Sequence, residues 1–512
     1  MKKAKNIQKE YGDFQTPYDF AFKVCDYLKS VLNINPKFII EPTCGVGGFV
    51  KASFNTFSKL EQVLGIEINQ DHCEEAKTSV DEENFKVVNQ SIFDYNFDDN
   101  DIKDDTLVIG TPPWANNSRQ EFNLPQKGDS LDLFGLEAFT GVANYDICES
   151  IIEKMIDAFA SRNKVATFAF LCKNSVARKI FAYVCQKNIG CEYVKILNID
   201  AKKIFDVDAV ACLLVIKFNF NIKDPCECEV LNFDDAHAKL IDEKYTKLRV
   251  DPETGNVVKA GVDFTLDGKC TFEWRQGIKH DLADIMELTR LDSGKYKNKL
   301  GQIIELEDDL VFPLVKSSDI KNPKICGDFK RYVIVTQKKL RQNTSYIEKK
   351  SPKTWDYLKT NQELFESRKS SIYKDKPKFS MFGIGDYTYA PYKVAVSAFY
   401  KKPLFTLLYN KDNKRKPVMV DDTVYFLPFD SFGEAYACML MLNTDLVQDF
   451  LMSISFEDAK RPFTKKLLQR IDFCMMIEKI FIDDLKRTEK ELGLKAIFKN
   501  EMSYDFCDLL PY

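Results

Sequence analysis

The sequence predicts an α/β domain built on a doubly wound sheet, followed by a separate α+β domain, and three observations carry that reading. The stretch Phe38-Ile39-Ile40-Glu41-Pro42-Thr43-Cys44-Gly45-Val46-Gly47-Gly48-Phe49 runs from an apolar strand through a glycine-rich turn into a helix start. Glycines let backbone approach a ligand closely, and the amides of the opening helix face it. At the spacing of about 20 residues used by α/β nucleotide folds, Gln62-Val63-Leu64-Gly65-Ile66-Glu67-Ile68 forms a second strand ending on a carboxylate. Strand-like and helix-like stretches alternate as far as about residue 222, where charged, turn-rich sequence takes over.

The further elements follow in chain order. Phe85-Lys86-Val87-Val88 reads as the third strand and leads into Asn89-Gln90-Ser91-Ile92-Phe93-Asp94. Leu107-Val108-Ile109-Gly110 is the fourth and runs straight into Thr111-Pro112-Pro113-Trp114. Ile151 to Ile156 reads as a helix, and Val165 to Leu171 as an apolar strand. The stretch from Asn116 to Gly141 has few secondary-structure signals, the profile of a lid beside chemistry. Asp224 to about Lys269, with Asp251-Pro252-Glu253-Thr254-Gly255-Asn256, reads as a connecting hairpin or linker. The remainder mixes strand and helix signals and closes on helical segments such as Phe481 to Leu492.

The corner after the fourth strand has a specific chemistry. The Thr111 side chain and the Pro112 carbonyl can both accept hydrogen bonds from one exocyclic amino group, while Trp114 can stack on the heterocycle carrying it. Two prolines hold the backbone, each fixing φ near about −65° and restricting the residue before it. The upstream turn lacks the GxGxxG pattern, so a dinucleotide pyrophosphate fits it poorly. A cofactor with ribose and adenine but no phosphate fits better, and S-adenosyl-L-methionine is the candidate.

In the order of these motifs the chain resembles the gamma class of DNA amino-methyltransferases from bacterial restriction–modification systems. In that order a short cofactor motif leads, the catalytic motifs follow and a target-recognition domain comes last. Gly12-Asp13-Phe14-Gln15-Thr16-Pro17 resembles the leading motif, whose Thr16-Pro17 pair would cap a helix and contact the methionine end. The resemblance implies a cofactor site containing Glu41, Thr43, Gly45, Gly47, Glu67, Ser91, Ile92 and Pro113. Asn144 to Glu149 resembles the start of a helix that packs under the cofactor, which adds Ile151. Thr111, Pro112, Pro113 and Trp114 would be catalytic. Ala201-Lys202-Lys203-Ile204-Phe205-Asp206 resembles a late motif whose aromatic residue, here Phe205, covers the other face of the flipped base. Trp274 to Lys279, Phe382 to Val394 and Met441 to Thr444 resemble the opening, core and closing helix of the recognition domain.

The resemblance therefore implies a seven-stranded S-adenosylmethionine-dependent methyltransferase sheet followed by an α+β target-recognition domain. Its expected divisions are a catalytic domain over 1–222, a connecting segment over 223–270 and a recognition domain over 271–512. Two residues depart from the family. Thr111 stands where adenine-N6 enzymes carry Asn or Asp and many cytosine-N4 enzymes carry Ser, and it reaches less far than an amide by about 1.5 Å. Ser91 stands where an acidic residue often meets the cofactor adenine, with Asp94 three residues on as its substitute.

Composition bounds the rest. A chain of 512 residues with 45% hydrophobic content forms two or three domains with sizeable cores. It has no apolar run of about 18 residues and no signal-peptide pattern behind its lysine-rich start, which points to a cytoplasmic protein without a membrane partner. Fifteen scattered cysteines without a CxxC pair read as buried, reduced thiols. His72, His237 and His280 are the whole histidine complement, so no metal site is expected, and each reads as a surface or solvated residue. The net charge of −4 hides an asymmetry: residues 311–420 hold 24 Lys and Arg against 9 Asp and Glu, leaving −19 for the remainder. A basic C-terminal segment beside an acidic catalytic half suits a phosphate-gripping domain.

The expected activity is site-specific methylation of N6 on an adenine flipped from double-stranded DNA, by a monomer acting beside a separate cognate restriction endonuclease. Cytosine-N4 methylation is the alternative that Thr111 favours. A protein-glutamine or RNA methyltransferase could share the corner but would not need the basic C-terminal domain. A catalytically weak DNA-binding homologue is the reading that Thr111 and Ser91 together leave open.

Overall fold

The computed structural model describes residues 15–114, 146–220, 222, 227–238, 246–251, 255–260, 265–292, 294–412, 416–456 and 461–495. The expected lid from Asn116 to Gly141 lies outside them, as do residues 12–14 of the leading motif. The chain divides into two compact units, residues 1–260 and 261–512.

The first unit is a mixed sheet of ten strands: β1 (Phe38–Glu41), β2 (Gln62–Glu67), β3 (Phe85–Asn89), β4 (Thr106–Gly110), β5 (Ala166–Lys173), β6 (Cys191–Ile199), β7 (Ala211–Phe218), β8 (Cys228–Asn232), β9 (Thr246–Val250) and β10 (Val257–Lys259). Their order is β10-β9-β8-β6-β7-β5-β4-β1-β2-β3. β1 to β5 pair in parallel, whereas β7 runs antiparallel between β5 and β6. The helices are α1 (Tyr18–Ser30), α2 (Gly48–Thr56), α3 (Gln70–Ser79), α4 (Ile147–Ala160), α5 (Asn174–Gln186), α6 (Ala201–Phe205) and α7 (Phe233–His237). β4 is buried at every position and β5 and β7 at all but one, as befits strands covered on both faces.

The strand order reverses between β1 and β4, since β2 lies outside β1 on one side and β5 outside β4 on the other. A crevice beyond the carboxyl ends of the strands at such a switch point is where open α/β sheets bind ligands. Glu41, Glu67, Asn89 and Gly110 end β1 to β4, so the sheet delivers the expected site residues to one rim.

The stretch expected as a connecting segment differs. Its described part supplies β8, β9 and β10, which extend the sheet beyond seven strands, and the units divide after residue 260. The physical reason is edge exposure. β10 is the edge strand and buries only Val258, and in β9 beside it only Leu248 is buried, so strands this close to the edge carry too few apolar residues to show a period.

The second unit holds eleven short strands among the described residues. A five-stranded sheet has the order β11 (Arg275–Gln276), β21 (Val424–Phe429), β18 (Tyr392–Ser397), β19 (Thr406–Tyr409) and β16 (Lys324–Ile325). A six-stranded one has β14 (Ile303–Glu305), β13 (Lys295–Asn298), β12 (Glu287–Asp292), β17 (Tyr332–Ile334), β15 (Val311–Val315) and β20 (Met419–Val420). The helix Phe432–Leu442, buried from Ala435 to Leu442, packs on β18, β19 and β21. Among the described residues no helix is long and apolar enough to cross a membrane.

His280 corrects an expectation. It is buried rather than solvated, its Nδ1 accepts from the Leu282 amide (3.1 Å), and its Nε2 lies 3.7 Å from Glu287. Burial outweighs that carboxylate and pushes the imidazole down to about 4. His237 is half-buried, stacked on Phe233 and 2.8 Å from Asp26.

Candidate active site

The glycine turn is fixed by the carboxylate expected to face the cofactor. Gly45 and Gly47 have φ of 52° and 85°, conformations that side-chain-bearing residues resist. The Gly45 amide donates to Glu67 Oε2 (2.9 Å) and the Asn69 amide to Oε1 (2.7 Å). Asn69 in turn caps α3. A carboxylate has about four lone-pair sites, so two remain for a ligand's hydroxyls. Gln15 was not singled out from sequence, yet its Oε1 accepts from the Val46 amide (3.2 Å) and closes the turn from the N-terminal side. Only its place beside Thr16 could have drawn attention to it.

Two buried polar atoms lie unsatisfied at this turn. Glu41 Oε2 and Thr43 Oγ1 make no hydrogen bond among the described residues. Glu41 is 3% exposed at the end of β1. Burial pushes its carboxyl well above the usual range; the Val50 amide at the start of α2 opposes this and the Glu67 charge adds to it. Such an acid is poised to ionise when a cation arrives.

The Thr-Pro pair does not cap the helix with its side chain. Pro17 takes the cap position of α1 and its carbonyl accepts from Phe20 and Ala21, with no side-chain cap. Thr16 instead reaches the corner after β4, where its Oγ1 lies 2.6 Å from Thr111 Oγ1. The fold thus joins the leading motif to the expected catalytic corner.

At that corner Pro112 is buried and Thr111 and Pro113 are half-buried. Trp114 is 7% exposed, and its indole N–H donates to the Leu171 carbonyl on β5 (3.1 Å). Phe205 ends α6, and its ring meets Trp114 edge to face, with centroids 5.3 Å apart and planes at 70°. The rings are neighbours, as an aromatic clamp requires. A base between them needs parallel faces about 7 Å apart, two van der Waals layers, so one ring must turn. Phe205 precedes Asp206, whose φ of 54° marks a tight turn, and it is the less buried of the two.

Beyond β3, Ser91 Oγ accepts from the Phe93 amide (3.3 Å), and Ile92 is buried. Asp94 is exposed, so the expected substitute carboxylate points into solvent-accessible surroundings rather than into the core. Lys154 of α4, missed in the sequence, ties this turn down by donating to the Phe93 and Tyr95 carbonyls (2.8 and 2.9 Å). Ile151 is wholly buried in α4, whose cap Asp146 is paired with Lys173 at 2.6 Å.

The basic segment gathers cations at one place in the second unit. Arg368, Lys369, Lys374, Lys376 and Lys378 line a depression of about 400 Å³ together with Tyr373. Arg368 is structural: its guanidinium stacks 3.6 Å over the Tyr373 ring and donates to the Ser380 carbonyl (2.8 Å). Lys369, Lys374 and Lys378 are exposed.

No protein-family model matches the chain. Over 484 residues it is 36% identical to the type II methyltransferase M.NspV of Nostoc sp., covering 91% of this chain and 98% of that protein. Among solved structures, the ATP-dependent type ISP restriction-modification enzyme LlaBIII bound to DNA aligns at 12% identity and a TM-score of 0.42, over 81% of this chain and 33% of that one. The methyltransferase subunit of a type I restriction-modification system from Streptococcus thermophilus aligns at 13% identity and a TM-score of 0.33, over 47% of this chain and 57% of that one.

Proposed function

Because the chain belongs to the type II DNA methyltransferases of restriction–modification systems, we propose that it methylates N6 of an adenine flipped from a specific duplex site. The observation that carries this reading is the Thr111–Trp114 corner at the end of β4, joined through Thr16 to the glycine turn and flanked by Phe205. S-adenosyl-L-methionine is the cofactor, and when bound it supplies a methyl group made electrophilic by its sulfonium.

The residues present suit that molecule. Glu67 has lone pairs left for ribose hydroxyls, and the orphaned Glu41 and Thr43 oxygens offer acceptors for a cationic amine. Ser91 and Ile92 follow β3, one polar and one apolar, beside the expected place of a purine ring. Thr16, Pro17, Gly45, Gly47, Pro113 and Ile151 complete the seat in this reading.

An aromatic amine is a weak nucleophile because its lone pair is delocalised into the ring. Hydrogen bonds from its two N–H groups to Thr111 Oγ1 and the Pro112 carbonyl favour a pyramidal nitrogen and aim the lone pair. Positioning and oriented dipoles then provide most of the acceleration. Trp114 and Phe205 hold the base outside the helix at a cost in unstacking of a few kcal/mol. The second unit would grip duplex phosphates and read the site. We read the protein as a cytoplasmic monomer that protects sites cut by a separate cognate endonuclease.

Cytosine-N4 methylation is the second reading, favoured by the short hydroxyl of Thr111 in place of an amide. Mass spectrometry of nucleosides from the DNA of an expressing host tests both. N6-methyladenine is the expected product, and N4-methylcytosine would replace the first reading by the second. Absence of both, with duplex binding retained, would make the protein a non-catalytic DNA-binding homologue.

A further inference from the structure

Thr111 faces a difficulty that an asparagine or aspartate in its place would not. An amide or carboxylate oxygen is an acceptor in any orientation, whereas a hydroxyl carries one proton and two lone pairs. It accepts cleanly from an incoming amine only when its own proton is engaged elsewhere. The atom 2.6 Å away that can engage it is Thr16 Oγ1, 95 residues upstream.

Thr16 is well placed for this. Its neighbour Gln15 accepts from the Val46 amide at the glycine turn, and Pro17 fixes the backbone that follows. A Cβ on Gly48 would stand 2.9 Å from the Thr16 carbonyl, so the turn lets Thr16 approach only because position 48 is glycine. Thr16 is half-buried and its own proton can reach solvent or a bound molecule. The turn and the corner thus meet at one hydroxyl pair.

We propose that Thr16 is a positioning residue for methyl transfer: it accepts the Thr111 proton and so turns both Thr111 lone pairs toward the target amine. The proposal rests on the reading of Thr111 as the amine's acceptor. In this arrangement a hydroxyl does the work of an amide oxygen, through a residue that touches neither the reacting nitrogen nor the methyl carbon.

The test is a double-mutant cycle with single-turnover methyl transfer to host-matched duplex DNA, alongside calorimetric affinity for S-adenosyl-L-methionine. Thr16→Val keeps the shape and removes the acceptor; its rate is expected to fall about tenfold, the scale of one lost hydrogen bond. Rates are compared at saturating cofactor, because Thr16 also belongs to the proposed cofactor seat, and duplex affinity should stay within about twofold of wild type. Thr16→Ser should restore the rate. In a Thr111→Asn background Thr16→Val should have no effect, because the amide oxygen needs no orienting partner. A wild-type rate in Thr16→Val, an equal fall in the Thr111→Asn background, or a fall wholly explained by lost cofactor affinity would overturn the proposal. Should Thr111→Asn be inactive, the comparison of Thr16→Val with Thr16→Ser decides alone. A wild-type protein that binds cofactor but methylates no duplex overturns the functional reading and this proposal with it; the other outcomes touch the proposal only.

Discussion

Trp114 serves two purposes at once, and they can be separated. Its indole is buried and bonded to Leu171, which is the behaviour of a core residue, yet its ring also lies against Phe205 at the expected base seat. Trp114→Ala should slow methyl transfer by about 1–3 kcal/mol, the scale of base–aromatic stacking. Duplex affinity, dominated by phosphates, should change far less. Trp114→Phe loses the Leu171 bond but keeps a stacking face, and single-turnover rates should place it between the two. Equal rates in all three proteins would reduce Trp114 to packing. Glu41 permits a second test at the same scale. Its carboxyl is pushed up by burial before any cation arrives, so cofactor binding should release a proton. Affinity should therefore weaken as pH falls below the free-state value and level off above it. Calorimetry in buffers of different ionisation enthalpy measures the release directly, and Glu41→Gln should abolish it. Proton release unchanged in that variant would assign it to another group.

Elements differ in how plainly the sequence announces them. β1, β2, β4, β5 and β7 are runs of apolar residues because both faces of the sheet are covered, and each is recognisable from a handful of residues. β6 is harder to see: Glu192 and Lys195 interrupt it, and Lys195 is held by Glu229 of β8, a partner no local window contains. β11, β16 and β20 have two residues each and no period to read. The site follows the same rule. Thr111, Trp114, Gly45 and Glu67 stand in local motifs, whereas the bond from Thr16 to Thr111 and the buried setting of His280 exist only once the chain has folded. Lys393 on β18 is another such case, an apolar-strand position occupied by a wholly buried lysine whose Nζ donates to the Ala390 carbonyl (2.7 Å). Burial pushes its ammonium down to about 7. The unfolded chain keeps that proton to its ordinary value near 10.5 while the folded one releases it near 7, so this group makes stability rise with pH across that window. Lys393→Met should accordingly stabilise the protein more at pH 6 than at pH 9, roughly the two sides of the folded-state transition. Melting curves at both values check it, and an equal shift at the two would mean that the folded protein keeps this lysine protonated through pH 9, its ammonium not pushed down by burial.

Over the whole molecule the charge is divided rather than balanced. The segment 311–420 carries 24 cations against 9 anions, and the rest of the chain holds −19. That remainder would repel a polyanion if it bound over the whole surface, so the division confines phosphate attraction to one part of the chain. Within the segment the charges have distinct work. Arg368 is spent on Tyr373 and on backbone carbonyls, and Lys393 and Lys416 are at least half-buried, Lys416 donating to the Val311 carbonyl (3.0 Å). Lys369, Lys374 and Lys378 remain exposed around the depression that Tyr373 and Phe379 floor. If these three meet phosphates, each neutralised phosphate releases condensed counterions and contributes about 0.9 to the slope of log affinity against log salt. The triple alanine variant should then bind non-specific duplex with a slope shallower by about 2.7 while its melting temperature holds, because exposed lysines contribute little to stability. Fluorescence anisotropy titrations of one labelled duplex over a range of salt concentrations measure the slope. Cofactor affinity, set in the other unit, should not move. An unchanged slope would place the duplex on some other face of the second unit, and an altered cofactor affinity would mean that the substitutions disturb the fold rather than the phosphate grip.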